Sequence, residues 1–115
     1  MASLTPDMLA AGYDFLRSTM PFRRWRLPPS SEVKFYVRKH AMWRAQYTYD
    51  HSKKSHMIEV SDHYAGHTND ILATVAHEMV HLRLIPVYRN SQHGPKFQRL
   101  KELVCKHHGF NPSTF

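Results

Sequence analysis

A chain of 115 residues with ten histidines and a formal net charge of +7 is expected to be a single domain, residues 1–115, with no room for a second. The only cysteine, Cys105, excludes an intramolecular disulfide framework and fits a reducing compartment. No apolar run approaches the ~18 residues of a membrane span, so no membrane partner is expected.

Taken in chain order, the first signal is Thr5-Pro6-Asp7, a helix start in which Thr5 caps and Pro6 takes the first helical position. No basic segment followed by an apolar one precedes it, so no secretory signal is expected. The expected location is the cytoplasm, or the nucleus in a eukaryotic host. Leu9, Tyr13, Phe15, Leu16 and Met20 then recur at near-helical spacing until Pro21. Leu27 to Ser31 reads as a linker. Three strand-like segments follow, around 33–38, 45–49 and 57–60, with Val33, Phe35 and Val37 on one face of the first. The polar stretch Asp50 to Ser55 is a hairpin loop longer than a two-residue turn.

From about Asn69 the period becomes helical, with Ile71, Leu72, Val75, Met79 and Leu82 as an apolar stripe. Asn69 or Asp70 is the expected N-cap, and Pro86 should end this helix after Ile85. A last helix should start at Pro95, turn Phe97, Leu100 and Val104 inward, and stop at Gly109. The fold class predicted is α+β: an N-terminal helix, a small three-stranded antiparallel sheet, a long helix and a C-terminal helix.

Positive charge is concentrated in one stretch. Arg23, Arg24, Arg26, Lys34, Arg38, Lys39, Arg44, Lys53 and Lys54 face only Glu32 and Asp50 between positions 23 and 54. Such an excess attracts polyanions, nucleic acid foremost, although a solvated surface explains it equally well. Trp25 and Trp43 lie among these cations, where they could stack on bases or pack into the core.

The chemistry is carried by His77-Glu78-Met79-Val80-His81. On a helix, positions i and i+4 share one face a turn apart, so both imidazoles can bind one zinc ion. Glu78, at the edge of that face, can reach a zinc-bound water without being a ligand. A random ordering of this composition produces the pattern in about 3 of 100 shuffles, and here it falls inside the best helical segment. A catalytic zinc usually takes three protein ligands, and His93, just before the last helix, is the leading third. The positive end of the helix dipole there favours the neutral imidazole that a metal needs. Gly94 offers a tight turn after it. His63, His67 or a carboxylate are the alternatives. Cys105, His107 and His108 lack the i, i+4 spacing of a helical metal pair and read as a helix end.

The run Asp70 to His81, followed by His93-Gly94-Pro95-Lys96-Phe97, resembles the SprT-like metallopeptidases, which include the Spartan DNA–protein crosslink proteases. The resemblance spans about residues 33–108 and includes the strand ending Ile58-Glu59-Val60-Ser61. It implies a minimal zincin-like domain, one catalytic zinc on His77, His81 and His93, and peptide hydrolysis with Glu78 as general base. It also makes DNA a plausible partner. A compact HExxHxxGxxH site is excluded, because Leu84 and Val87 occupy the places of its glycine and last histidine.

The reading is therefore a monomeric zinc endopeptidase acting on protein or peptide, with DNA, single-stranded by preference, as an expected partner. The basic contacts would be Arg23, Arg24, Arg26, Arg38, Lys39, Arg44, Lys53 and Lys54. A peptidase with no nucleic-acid link and a nucleic-acid module with a structural zinc are the alternatives. Tyr64 and Tyr88 are candidates for stabilising an oxyanion, and nothing in the sequence selects between them.

Overall fold

Thr5 caps the first helix, its hydroxyl oxygen accepting from the Met8 amide at 3.2 Å. This helix, α1, runs Pro6–Arg17 in a computed structural model that describes residues 4–39, 43–62, 68–88 and 93–115, with only the backbone of Thr68 and Asn69. Leu9, Tyr13 and Leu16, spaced by four and three, are completely buried. Each such side chain stabilises the fold by roughly 1.5–3 kcal/mol. Phe15, expected in the same stripe, is 54 % exposed, since a neighbour of Leu16 points about 100° away around the helix.

The linker after α1 is bound back onto it. The Tyr13 hydroxyl donates to the Pro28 carbonyl at 2.5 Å, and Arg17 Nε donates to the Leu27 carbonyl at 2.9 Å. Asp14 accepts from the Ser30 hydroxyl at 2.6 Å. Between them a short 3-10 turn, Phe22–Arg24, buries Phe22, with Trp25 edge-on to it at 5.0 Å.

Three strands follow: β1, Val33–Arg38; β2, Ala45–Asp50; and β3, Ser55–Ser61. Their spatial order is β1-β3-β2. The β2–β3 hairpin is antiparallel, with Asp50 opposite Ser55 and Ala45 opposite Val60. The β1–β3 pair is parallel, from Val33 opposite His56 to Arg38 opposite Ser61. The sheet is thus mixed, where an antiparallel one was expected. The reason lies in β3, whose residues Ile58, Glu59, Val60 and Ser61 are all buried, on both faces of the pleat. Such a strand belongs in the centre of a sheet, and β1 is left to pair along its other side. In the hairpin loop the Asp50 carboxylate accepts from the Ser52 amide at 2.9 Å and the Ser52 hydroxyl at 2.7 Å, and Lys54 takes a left-handed φ of 52°.

The long helix, α2, spans Thr68–Tyr88. It starts before the expected cap, so Asn69 and Asp70 lie in its first turn. It also runs through Pro86, expected to end it. Proline removes the bond to the carbonyl four residues back, but with only two helical residues beyond it, the disturbance is confined to the final turn. Ala76, Val80 and Leu84 are buried along with the expected Val75, Met79 and Leu82. Burial reaches most of the way round because α1, the sheet and the last helix each pack against α2. That last helix, α3, runs Pro95–His108 and ends where expected, with Gly109 at φ 73° donating to the Cys105 carbonyl at 2.8 Å. No helix among the described residues is long and apolar enough to cross a membrane.

Candidate metal centre

His77 and His81 project from one face of α2, one turn apart, with ring centroids separated by 5.0 Å. His93, on the approach to α3, stands 5.2 Å from the first ring and 5.1 Å from the second. The three imidazoles therefore form a nearly equilateral triangle. Their nearest nitrogens all lie within 4.8 Å of one another, and Nε2 of His77 and Nε2 of His93 are 3.2 Å apart. Nitrogens ~2.0–2.1 Å from a tetrahedral zinc stand about 3.3–3.4 Å from each other, so this pair already has the spacing of two ligands. A set of three nitrogen donors with this spacing fits zinc.

The first turn of α3 fixes His93. Gln98 donates its side-chain amide to the His93 carbonyl at 3.1 Å and its backbone amide to the Gly94 carbonyl at 3.0 Å. Gly94 does not supply the expected tight turn. Its φ of −75° and ψ of −169° are open to any residue, and an added Cβ would meet nothing within 4 Å. His63 and His67, the alternative ligands, lie outside the described residues, as does Tyr64.

Phe97 has a role that sequence reasoning missed. Taken there as a core residue, it is buried and also touches all three imidazoles: stacked on His81 at 4.7 Å, edge-on to His93 at 4.7 Å, and 5.0 Å from His77. The available signal was its place four residues after His93, in the first turn of α3. Phe115, which no pattern pointed to, lies 5.3 Å from the His77 ring.

Electrostatics set the protonation states. Burial, reinforced by the neighbouring His81 and His93 rings, pulls the His77 imidazole down to about 4, so it is a neutral donor at physiological pH. Glu78 is only 4 % exposed, and burial pushes its carboxyl up to about 8. A carboxyl near neutrality is suited to moving protons in both directions. His77 and Glu78 line one wall of a cleft of about 150 Å³, continued by Ala73 and Thr74 on α2. Arg44 and Ala45, at the start of β2, also line it, together with Phe115.

The basic residues do not form one patch. Arg38, Lys39 and Arg44 sit at one end of the sheet, while Lys53 and Lys54 sit in the hairpin loop at the other, a six-residue strand or ~20 Å away. Arg23, Arg24 and Arg26 form a third group in and after the 3-10 turn. All eight are exposed, but Arg38 is engaged: its Nε donates to Glu59 at 3.0 Å and its guanidinium lies over the Tyr36 ring. Trp25 is partly buried against the core. At the end of α3, His108 Nε2 lies 2.9 Å from the Thr19 hydroxyl and its ring stacks on Phe110, a structural use that agrees with the helix-end reading. The exposed Tyr88 lies under the Lys96 ammonium, 4.6 Å from its ring centroid.

No curated protein and no solved structure matched the chain. The model of the SprT-like family does match, over residues 15–115, a wider span than the motifs alone covered and one that takes in the end of α1. With the match covering most of its length and three histidines gathered as a possible metal site, the chain belongs to the SprT-like family.

Proposed function

We propose that the protein is a zinc-dependent endopeptidase with His77, His81 and His93 as metal ligands and Glu78 as general base. The observation that carries the reading is the triangle of imidazoles with a buried glutamate beside it on the wall of a cleft. Zinc held there would polarise a peptide carbonyl and lower the pKa of water towards ~7. Glu78 would accept the proton of the attacking water and return it to the leaving amine. A bound cation would draw the Glu78 carboxyl towards its ionised, proton-accepting form. Phe97 would hold the imidazoles in register from behind.

Substrate would lie along β2. That strand is an edge of the sheet, and its first residue, Ala45, lines the same cleft as Glu78. Backbone groups on an edge strand can pair with an extended peptide, a mode that makes side-chain selectivity loose. The experiment is incubation of zinc-loaded protein with a flexible basic protein, with and without single-stranded and duplex DNA, alongside Glu78→Gln. Cleavage by the parent and not by the variant supports the peptidase. No cleavage under any condition removes it and favours a module with structural zinc.

The DNA arm tests the finer reading, a peptidase acting on proteins bound or crosslinked to DNA. Its support is the exposed cation excess of residues 23–54, with Arg44 at the cleft itself. Stimulation of cleavage by DNA supports that reading. Equal rates with and without DNA favour a peptidase with no nucleic-acid link.

A further inference from the structure

A second concavity, of about 200 Å³, opens between the C-terminal half of α2 and the first turns of α3. Leu84 and Leu100 line its apolar part. Two aromatic rings border it: Trp25, which packs edge-on against Phe22, and Tyr88, which is 51 % exposed. Its other lining residues among the described ones are Arg83, Lys96 and Arg99, all exposed, with no carboxylate among them. Lys96 holds its ammonium over one face of the Tyr88 ring, 4.6 Å from the centroid, which leaves the other face for a base. Neither Arg83 nor Arg99 takes part in an ion pair among the described residues. Arg24 and Arg26 flank Trp25 in the chain and extend the same sign of charge.

We infer that this cavity is a binding site for one nucleotide of a single-stranded nucleic acid, with the base between Trp25 and Tyr88 and the adjoining phosphates on Arg83, Lys96 and Arg99. The inference sharpens the nucleic-acid reading above and is independent of the metal centre and of peptide hydrolysis. Cations alone would serve any polyanion. Two rings beside an apolar floor add a surface that only a flat, unpaired base uses. A duplex keeps its bases stacked inward and cannot insert one without paying for its unpairing. The cavity is below the ~300–1,000 Å³ of a drug-sized pocket, in keeping with a single ring system. Arg83, Lys96 and Arg99 lie outside the basic stretch of residues 23–54, so charge counting along the chain does not find them. Helix packing brings them to Trp25.

The test uses the full chain and fluorescence anisotropy with a labelled short oligothymidylate, the matching duplex, and inorganic polyphosphate as competitor. Arg83→Glu with Arg99→Glu is compared with Lys53→Glu with Lys54→Glu, which changes net charge by the same amount at the hairpin loop. The pocket double variant should lose at least about tenfold in affinity for the single strand, and the hairpin variant much less. Tyr88→Ala, at a position that is 51 % exposed, should weaken the single strand and leave polyphosphate binding unchanged. Quenching of tryptophan emission by oligothymidylate should vanish in Trp25→Phe. Equal losses in the two double variants would mean a diffuse field and overturn the site. Polyphosphate competing as well as oligothymidylate, or an unaltered Tyr88→Ala, would do the same. Peptide cleavage measured in parallel reports on the metal centre separately, because none of these residues belongs to it.

Discussion

His77 Nε2 and His93 Nε2 stand 3.2 Å apart across 16 residues of chain. One belongs to the middle of α2 and the other to the approach to α3, so an ion held by both joins the two helices. His77 lies in a largely buried helix, whereas His93 is exposed, with its carbonyl accepting from the Gln98 side chain and that of Gly94 from the Gln98 amide. The metal site and the α2–α3 connection should therefore report on each other.

Replacement of His93 by alanine should remove most of the zinc, since two imidazoles on one helix turn do not complete a site. The side chain is exposed, so the metal-free variant should match the metal-free parent within about 0.5 kcal/mol. What it should lose is the rise in thermal midpoint on adding zinc, which comes from binding to the native state alone. Elemental analysis and a melting series with and without zinc decide it. A variant that keeps one zinc per chain would take His93 out of the ligand set.

Glu78→Gln keeps the shape of the side chain but cannot accept a proton near neutrality. Zinc content should stay at the parent value while peptide hydrolysis falls by at least ~100-fold. Single-turnover assays on zinc-matched samples make the comparison. Cleavage at the parent rate would mean that some other group moves the proton.

Phe97→Leu separates support of the imidazoles from core packing. Leucine fills most of the buried volume, so the metal-free fold should lose no more than about 1.5 kcal/mol. The flat contact with His77, His81 and His93 disappears, however, and zinc affinity should fall by about tenfold, the scale typical of groups that orient ligands. Competition with a chromogenic chelator measures the affinity, and urea unfolding of the metal-free protein measures stability. Unchanged affinity would reduce Phe97 to an ordinary core residue.

What the chain discloses by inspection is local. The i, i+4 histidines, the start of α3 at Pro95 and its stop at Gly109 follow from spacing, from proline's fixed φ and from glycine's access to the left-handed region. Strand order is different. Alternation marked out three strands but could not tell that β3 runs parallel to β1, because that depends on which strand is buried on both faces. Helix α2 passing through Pro86 is likewise decided by its packed surroundings. The contact of Phe97 with three imidazoles, and the meeting of Trp25 with Arg83 and Arg99, exist only once helices pack.

A histidine outside the metal centre sets part of the pH dependence of stability. His56, at the start of β3, has its Nδ1 2.6 Å from the Tyr47 hydroxyl and its ring 5.1 Å from that of Tyr49. Burial raises the Tyr47 phenol above its ordinary value, so it keeps its proton and shares this hydrogen bond with a neutral His56. Burial also lowers the His56 imidazole, only partly opposed by the charge of Glu32. The unfolded chain, with a histidine near ~6.5, therefore takes up the proton first as pH falls. Stability is unaffected above that value, declines as pH drops through it, and levels off below the depressed folded value. His77 and His108 are shifted in the same direction, so the parent slope is a sum. His56→Phe keeps a ring beside Tyr49 and removes one titrating site, and should make the slope shallower. Urea unfolding of chelator-treated protein between about pH 5 and 8 gives both slopes. Parent and variant losing stability in parallel over that range would show that His56 titrates alike folded and unfolded.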